Sequence, residues 1–172
     1  NLLYKKPVDN YCITIVTITT VMQSKEIEMQ ADSTAKKVAL VIGAGDSTGG
    51  AIAKRFAREG YVACVTRRSA DKLQTLVDEI VAAGGQARGY ASDARKEEDV
   101  IQLVEDIERD VGPVEVMVFN IGANVPCSIL EETARKYFKI WEMACFGGFL
   151  VGREVAKRMV TRERGTILFT GA

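Results

Sequence analysis

Residues 38–50 of this chain read Val38-Ala39-Leu40-Val41-Ile42-Gly43-Ala44-Gly45-Asp46-Ser47-Thr48-Gly49-Gly50. The first five, apolar and bounded by glycine, read as a buried strand. Beyond them Ile52, Ala53, Phe56 and Ala57 recur at helical spacing over residues 48–59, and Gly60 ends the helix. Between strand and helix lies a glycine-rich turn, the arrangement a phosphate group needs. Glycine lets the backbone turn sharply and approach an anion closely, while the helix start offers unpaired N–H groups and a partial positive charge. Alone, such a cluster is equally an ordinary βα turn. A strand before it, a helix after it and a second strand at 61–66 favour a dinucleotide-type phosphate turn.

Outward from that turn the same alternation continues. A second helix is expected over 70–83, with Ser69 as its N-cap, Leu73, Leu76, Val77 and Ile80 on one face, and Gly84-Gly85 as its stop. A weaker strand follows at 86–92. A helix over 97–111 places Val100, Leu103, Val104 and Ile107 together, and Gly112-Pro113 terminates it. Residues 114–119 (VEVMVF) form a fourth strand, and 166–170 (TILFT) a fifth. Between them a long helix is expected over 134–160, preceded by a short turn capped by Ser128, with Glu131 at the capping-box position. Strands alternating with helices imply parallel strands joined by right-handed crossovers. The expected fold class is therefore α/β, a doubly wound parallel sheet, Rossmann-like, running from residue 36 and stopping after its fifth strand.

Composition narrows the function. At 172 residues the chain suits one domain, and 23 basic residues against 23 acidic ones recommend neither nucleic acid nor a membrane surface as partner. With no histidine, a Ser-His-Asp triad, a Cys-His pair and a His-ligated metal site within this chain are excluded, and no metal is expected. Cys12, Cys64, Cys127 and Cys145 form no CxxC pair and read as buried, reduced thiols of a cytoplasmic protein. Residues 1–35 read as an extension, either disordered or an added strand. Their β-branched run at 11–21 is too short and too polar for a membrane span and lacks a signal-peptide cleavage site. Both ends of the chain read as cut, with Met22 or Met29 as a natural start.

At the end of the second strand stands Thr66-Arg67-Arg68. A dinucleotide fold that takes NAD usually places an acid here for the ribose 2′-hydroxyl. Two arginines in its place can pair with a 2′-phosphate, which favours NADP(H) over NAD; a solvated basic turn is the alternative.

From Lys37 to Ala172 these features resemble the N-terminal half of the short-chain dehydrogenase/reductase family. The family's T-G-x-x-x-G-x-G motif lies on residues 42–49, its strand-end selector on Thr66-Arg67, its adenine-contacting acid on Asp93, and its N-N-A-G motif on Phe119-Asn120-Ile121-Gly122. The resemblance implies a cofactor site made of Gly43, Gly45, Ser47, Thr48, Gly49, Arg67, Arg68, Asp93, Asn120 and Gly122, with Asn120 holding backbone beside the cofactor. It also implies hydride transfer to or from a carbonyl or alcohol, and self-association through the helix at 134–160. Departures stand at Ile42, Ser47 and Phe119, and at Ala144, which occupies the place of the family's catalytic asparagine. The chain ends at Ala172, before the positions of the family's catalytic serine, tyrosine and lysine, so no catalytic residue is assigned. Tyr137, on the long helix, is expected to pack in the interior. Two further readings follow: a nucleotide-binding or interaction protein that has lost the chemistry, and a fragment whose fifth strand is left as a bare edge.

Overall fold

The structure, a computed structural model, describes residues 12–19, 36–122 and 126–171. Among them the elements follow in chain order as β1 (Cys12–Thr19), β2 (Val38–Ile42), α1 (Thr48–Arg58), β3 (Val62–Arg67), α2 (Gln74–Ala82), β4 (Gln86–Ala91), α3 (Glu97–Asp110), β5 (Val114–Phe119), α4 (Ala134–Trp141), α5 (Gly147–Thr161) and β6 (Arg164–Gly171). The strands form one sheet in the order β1-β6-β5-β2-β3-β4. All neighbours from β6 to β4 pair in parallel, whereas β1 pairs antiparallel with β6. The winding reverses at β2, where consecutive crossovers leave in opposite directions. A crevice therefore opens beyond the C-terminal ends of β2 and β5, where ligands bind in such sheets.

β2 is buried along its whole length, as an unbroken apolar run covered on both faces must be; β5 is equally buried, its one charged residue, Glu115, being paired with Arg164 at 2.6 Å. Alternate residues serve opposite layers. Val38 and Leu40 pack with Leu103, Val104 and Ile107 of α3 and Leu150, Val151 and Met159 of α5. Val41, with Ala63 and Val65 of β3, packs with Ala53 and Ala57 of α1 and Ile80 of α2. Each fully buried Leu, Ile or Met in these layers contributes roughly 1.5–3 kcal/mol. Glu154 is buried among them, and burial alone would push its carboxyl up. Arg158 and Lys157, at 2.6 and 2.9 Å, outweigh that and hold it below the ordinary carboxylate range.

Several expectations are corrected by packing. The second helix enters through a 3-10 turn at Ala70–Leu73, and the Ser69 side chain makes no capping bond. Ser128 does serve the short turn as expected, its Oγ accepting from the Leu130 N–H at 3.3 Å, and the long helix that follows is capped by Thr133, whose Oγ1 accepts from the Lys136 N–H at 3.2 Å. That helix is interrupted by a π-helical segment at Glu142–Phe146. It meets the core from Gly147 onward, so α4 has no buried residue and Tyr137 is 65% exposed rather than interior. Of the cysteines, Cys64 is buried and its thiol is pushed up to about 12 by burial, but Cys127 and Cys145 are exposed. Nor is β6 a bare edge, because β1 pairs along it from Cys12↔Gly171 to Thr19↔Arg164. The added-strand reading therefore holds for 12–19. The rest of the extension lies outside the described residues. No helix among the described residues is long and apolar enough to cross a membrane.

Candidate functional site

The turn after β2 is shaped by contacts that only glycine permits. Its N–H groups at Gly43 and Ala44 both donate to Thr66 O, at 3.2 and 3.1 Å, which ties the turn to the end of β3. Gly43 sits at φ +80°, and a Cβ there would lie 2.8 Å from Ile121 Cγ1 and 2.9 Å from Asn120 O. At Gly49 a Cβ would overlap the Gly43 carbonyl and stand 2.9 Å from Asn120 Nδ2. At Gly45 it would point into open space. Ser47 is the N-cap of α1, yet its exposed side chain makes no capping bond. The N–H of Gly50 donates to Gly45 O and that of Ala51 to Ser47 O, at 2.8 and 3.0 Å. Among the described residues, no acceptor pairs with the N–H groups of Thr48 and Gly49, so the start of α1 is open to an anion.

Asn120 braces this turn from β5. Its Nδ2 donates to Gly43 O at 3.2 Å, and its Oδ1 accepts from Thr170 Oγ1 at 2.8 Å. One amide thus joins the ends of β2, β5 and β6. Gly122 follows, exposed, with open space where a Cβ would be.

A cleft of about 330 Å³ lies against the turn, between the ends of β2, β3, β4 and β5. Arg67 and Arg68 reach it from β3. Arg67 Nη1 lies 3.3 Å from Asp46 Oδ1 of the glycine turn, while Arg68 has no ion-pair partner among the described residues. The β4 rim is built differently. Asp93 accepts from Arg95 Nε at 2.9 Å, from Arg95 Nη2 at 2.6 Å and from the Arg95 N–H at 3.2 Å. These bonds with Arg95 hold its carboxyl well below the usual range, at about 2, against the opposing effect of burial. Arg95 also stands 3.7 Å from Glu142, the first residue of the π segment. Beside this pair Ser92 Oγ is buried, with no hydrogen-bond partner among the described residues. Met143 of the π segment lines the cleft, and Ala144, next to it, is half-buried.

The geometry thus gathers Gly43, Arg67, Arg68, Asp93 and Gly122 at one cleft, with Gly45, Ser47, Thr48 and Gly49 in the turn that borders it and Asn120 bracing that turn from the end of β5. Sequence reasoning missed Asp46, Ser92, Arg95 and Met143. Arg95, two residues from Asp93, was the nearest to legible. A larger cavity of about 410 Å³, between α1 and α2, includes Gly84 and Gly85 at the start of β4, and so lies at the opposite end of the strands. Among the described residues no cluster of His, Cys, Asp or Glu side chains converges as metal ligands would.

Known proteins resemble this chain in sequence and fold. The family model described as short chain dehydrogenase matches residues 37–172. A 2-dehydro-3-deoxy-D-gluconate 5-dehydrogenase of Formosa agariphila is 30% identical over 133 residues, covering 77% of this chain and 50% of that protein. The crystal structure of a short-chain dehydrogenase from Rhodopseudomonas palustris superposes with a TM-score of 0.69 at 46% identity, over 75% of this chain and 60% of that one. That of an actinorhodin polyketide ketoreductase with NADPH gives 0.72 at 32% identity, over 76% and 51%. The chain spans about half the length of the curated relatives it matches. By the family model that matches residues 37–172 and by its relatives in sequence and structure, the chain belongs to the short-chain dehydrogenase family.

Proposed function

We propose that the chain binds a nicotinamide dinucleotide along the C-terminal edge of β2 to β5, with NADP(H) preferred. In the whole protein this serves hydride transfer to or from a carbonyl or alcohol. The observation that carries the reading is the turn itself, where a side chain at Gly43 or Gly49 would collide with its surroundings while the start of α1 stays open. The orphaned hydroxyl of Ser92, buried at the cleft wall, fits the same reading, since it lacks a partner that a polar ligand can supply.

Each residue then has a task. Ser47, Thr48 and Gly49 would hold the pyrophosphate at the helix start, with Gly43 and Gly45 allowing close approach. Arg67 and Arg68 would receive the 2′-phosphate. Asp93 would meet the adenine amine with little to spare. Arg95 already takes three of the roughly four acceptor positions of its carboxylate, and Ser92 Oγ adds a second polar group on that wall. Asn120 and Gly122 would present backbone on the nicotinamide side. The bound nicotinamide would supply the hydride donor or acceptor. A cytoplasmic setting, which keeps Cys64, Cys127 and Cys145 reduced, fits this reading.

One feature favours a second reading, a nucleotide-binding protein without hydride chemistry. Ala144 places a methyl group where the family has an asparagine that hydrogen-bonds. For partners, we read the exposed Phe138, Trp141 and Phe149 along α4 and α5 as the contact with a second copy of the chain. Sedimentation should show a dimer that Trp141→Ala weakens; a monodisperse monomer would refute it.

The central test is titration of the chain with NADPH and NADH, followed by nucleotide fluorescence and thermal shift. Saturable binding of NADPH tighter than NADH, with a raised melting temperature, is expected. A folded chain that binds neither would overturn the cofactor reading. Substrate-dependent NADPH oxidation by the whole protein would separate the enzyme from the binding-only reading.

A further inference from the structure

We propose that β1 positions the cofactor site from the far edge of the sheet. By pairing with the end of β6 it holds Thr170, and Thr170 holds the side-chain amide that braces the glycine turn. The inference rests on the reading of this cleft as a cofactor site. β5 and β6 pair only from Val116↔Thr166 to Phe119↔Phe169. β6 runs on to Gly171. Among the described residues its last two have ladder partners in β1 alone, as Ile13↔Thr170 and Cys12↔Gly171. A strand end without a neighbour frays, and β1 takes that freedom from Thr170.

From Thr170 the contact runs inward in two steps. Its Oγ1 donates to Asn120 Oδ1 at 2.8 Å, with Phe119 O at 3.3 Å, and Asn120 Nδ2 donates to Gly43 O at 3.2 Å. That carbonyl is the atom a Cβ at Gly49 would overlap, so its place sets how closely the turn meets the start of α1. β1 thus bears on the N–H groups offered to the pyrophosphate although β6 and β5 stand between it and β2. Residues 12–19 (CITIVTIT) suit an added strand, since no charge, glycine or proline interrupts the β-branched run. Such coupling is reciprocal. A strand that tightens the nucleotide is itself held more firmly once the nucleotide is bound.

The test is hydrogen–deuterium exchange of the full chain with and without saturating NADPH, read beside the dissociation constant. NADPH should slow exchange of the ladder amides of residues 12–19 by about fivefold. Thr170→Val should weaken NADPH by a similar factor and abolish that protection, whereas Thr170→Ser, which keeps the hydroxyl, should retain both. In an antiparallel ladder adjacent residues aim their N–H groups in opposite directions. Of Ile13→Pro and Thr14→Pro, one therefore breaks the pairing with β6 and the other faces away from it. Only the first should weaken NADPH, with both variants still folded by thermal melting. NADPH binding that leaves exchange in β1 unchanged, protection that survives Thr170→Val, or equal affinity in the two proline variants would overturn the proposal while leaving the cofactor reading intact. Failure of the unsubstituted chain to bind either NADPH or NADH would overturn both.

Discussion

The two rims of the cleft each pair an acid with an arginine, and they do so in opposite ways. On the β4 rim Asp93 and Arg95 lock together through three hydrogen bonds within two residues of chain, with the Asp93 side chain 16% exposed. On the turn rim Asp46 and Arg67 touch once, across 21 residues, with the acid almost wholly in solvent. A bidentate, desolvated pair resists displacement; a single exposed contact does not. The first therefore fixes the shape of the wall, while the second holds its partners loosely. Similar residues are locked on one rim and lightly joined on the other, and solvent access to the acid makes the difference.

The comparison can be broken most severely at the element that both rims border. Gly49→Val forces a side chain into Asn120 Nδ2 and the Gly43 carbonyl. It should cost about 3 kcal/mol in denaturant unfolding and abolish nucleotide binding. Retained binding would show that the turn adapts. Next in size is Asp93→Asn, which removes the charge that Arg95 grips and should cost on the order of 2 kcal/mol at neutral pH. Its pH dependence has a definite sign. The folded carboxyl at about 2 lies below its unfolded value. Its stabilisation is thus complete above about pH 4 and is lost as pH falls towards 2. Thermal melts of the chain and variant should converge across that window; a constant gap would mean that packing, not charge, is what Asn disturbs.

The turn rim should respond in binding rather than stability. Arg67→Ala is expected to weaken NADPH by about tenfold and NADH far less, since only the former carries the 2′-phosphate. Equal weakening would assign Arg67 to the pyrophosphate instead. The smallest effect is on folding at Asp46. Asp46→Ala should change stability by less than about 0.5 kcal/mol. A larger loss by denaturant unfolding would show that this pair, too, is structural, and would erase the contrast between the rims.

Much of the scaffold is legible in the residues themselves. In α3 the expected stripe of Val100, Leu103, Val104 and Ile107 is the buried face. β2 announces itself as a short apolar run between turn residues, and β5 as one broken only by Glu115; their buried length agrees. The glycine turn is readable because a left-handed φ at Gly43 is a local demand on the backbone. What escaped was non-local or a matter of direction. Nothing in residues 12–19 says that they will pair with β6, because an antiparallel partner some 150 residues away leaves no periodic trace in either strand. Tyr137 lies on an amphipathic helix and still ends outside, since the helix reaches the core only after the π segment. Ser92 reads as the last residue of a weak strand over 86–92; that its hydroxyl is buried at the cleft, with no partner among the described residues, appears only in the folded chain.

By itself the sequence determined the winding of the sheet, the place of the glycine turn and the basic end of β3. All three follow from period, glycine and residue type within a few positions of one another. Tertiary structure alone decided which charges meet there. Whether an arginine is locked, as Arg95 is, or held loosely, as Arg67 is, depends on how two strand ends and a turn converge and how much water remains between them. Distance and solvent access set the strength of a charge pair, and neither is written in the order of residues along the chain.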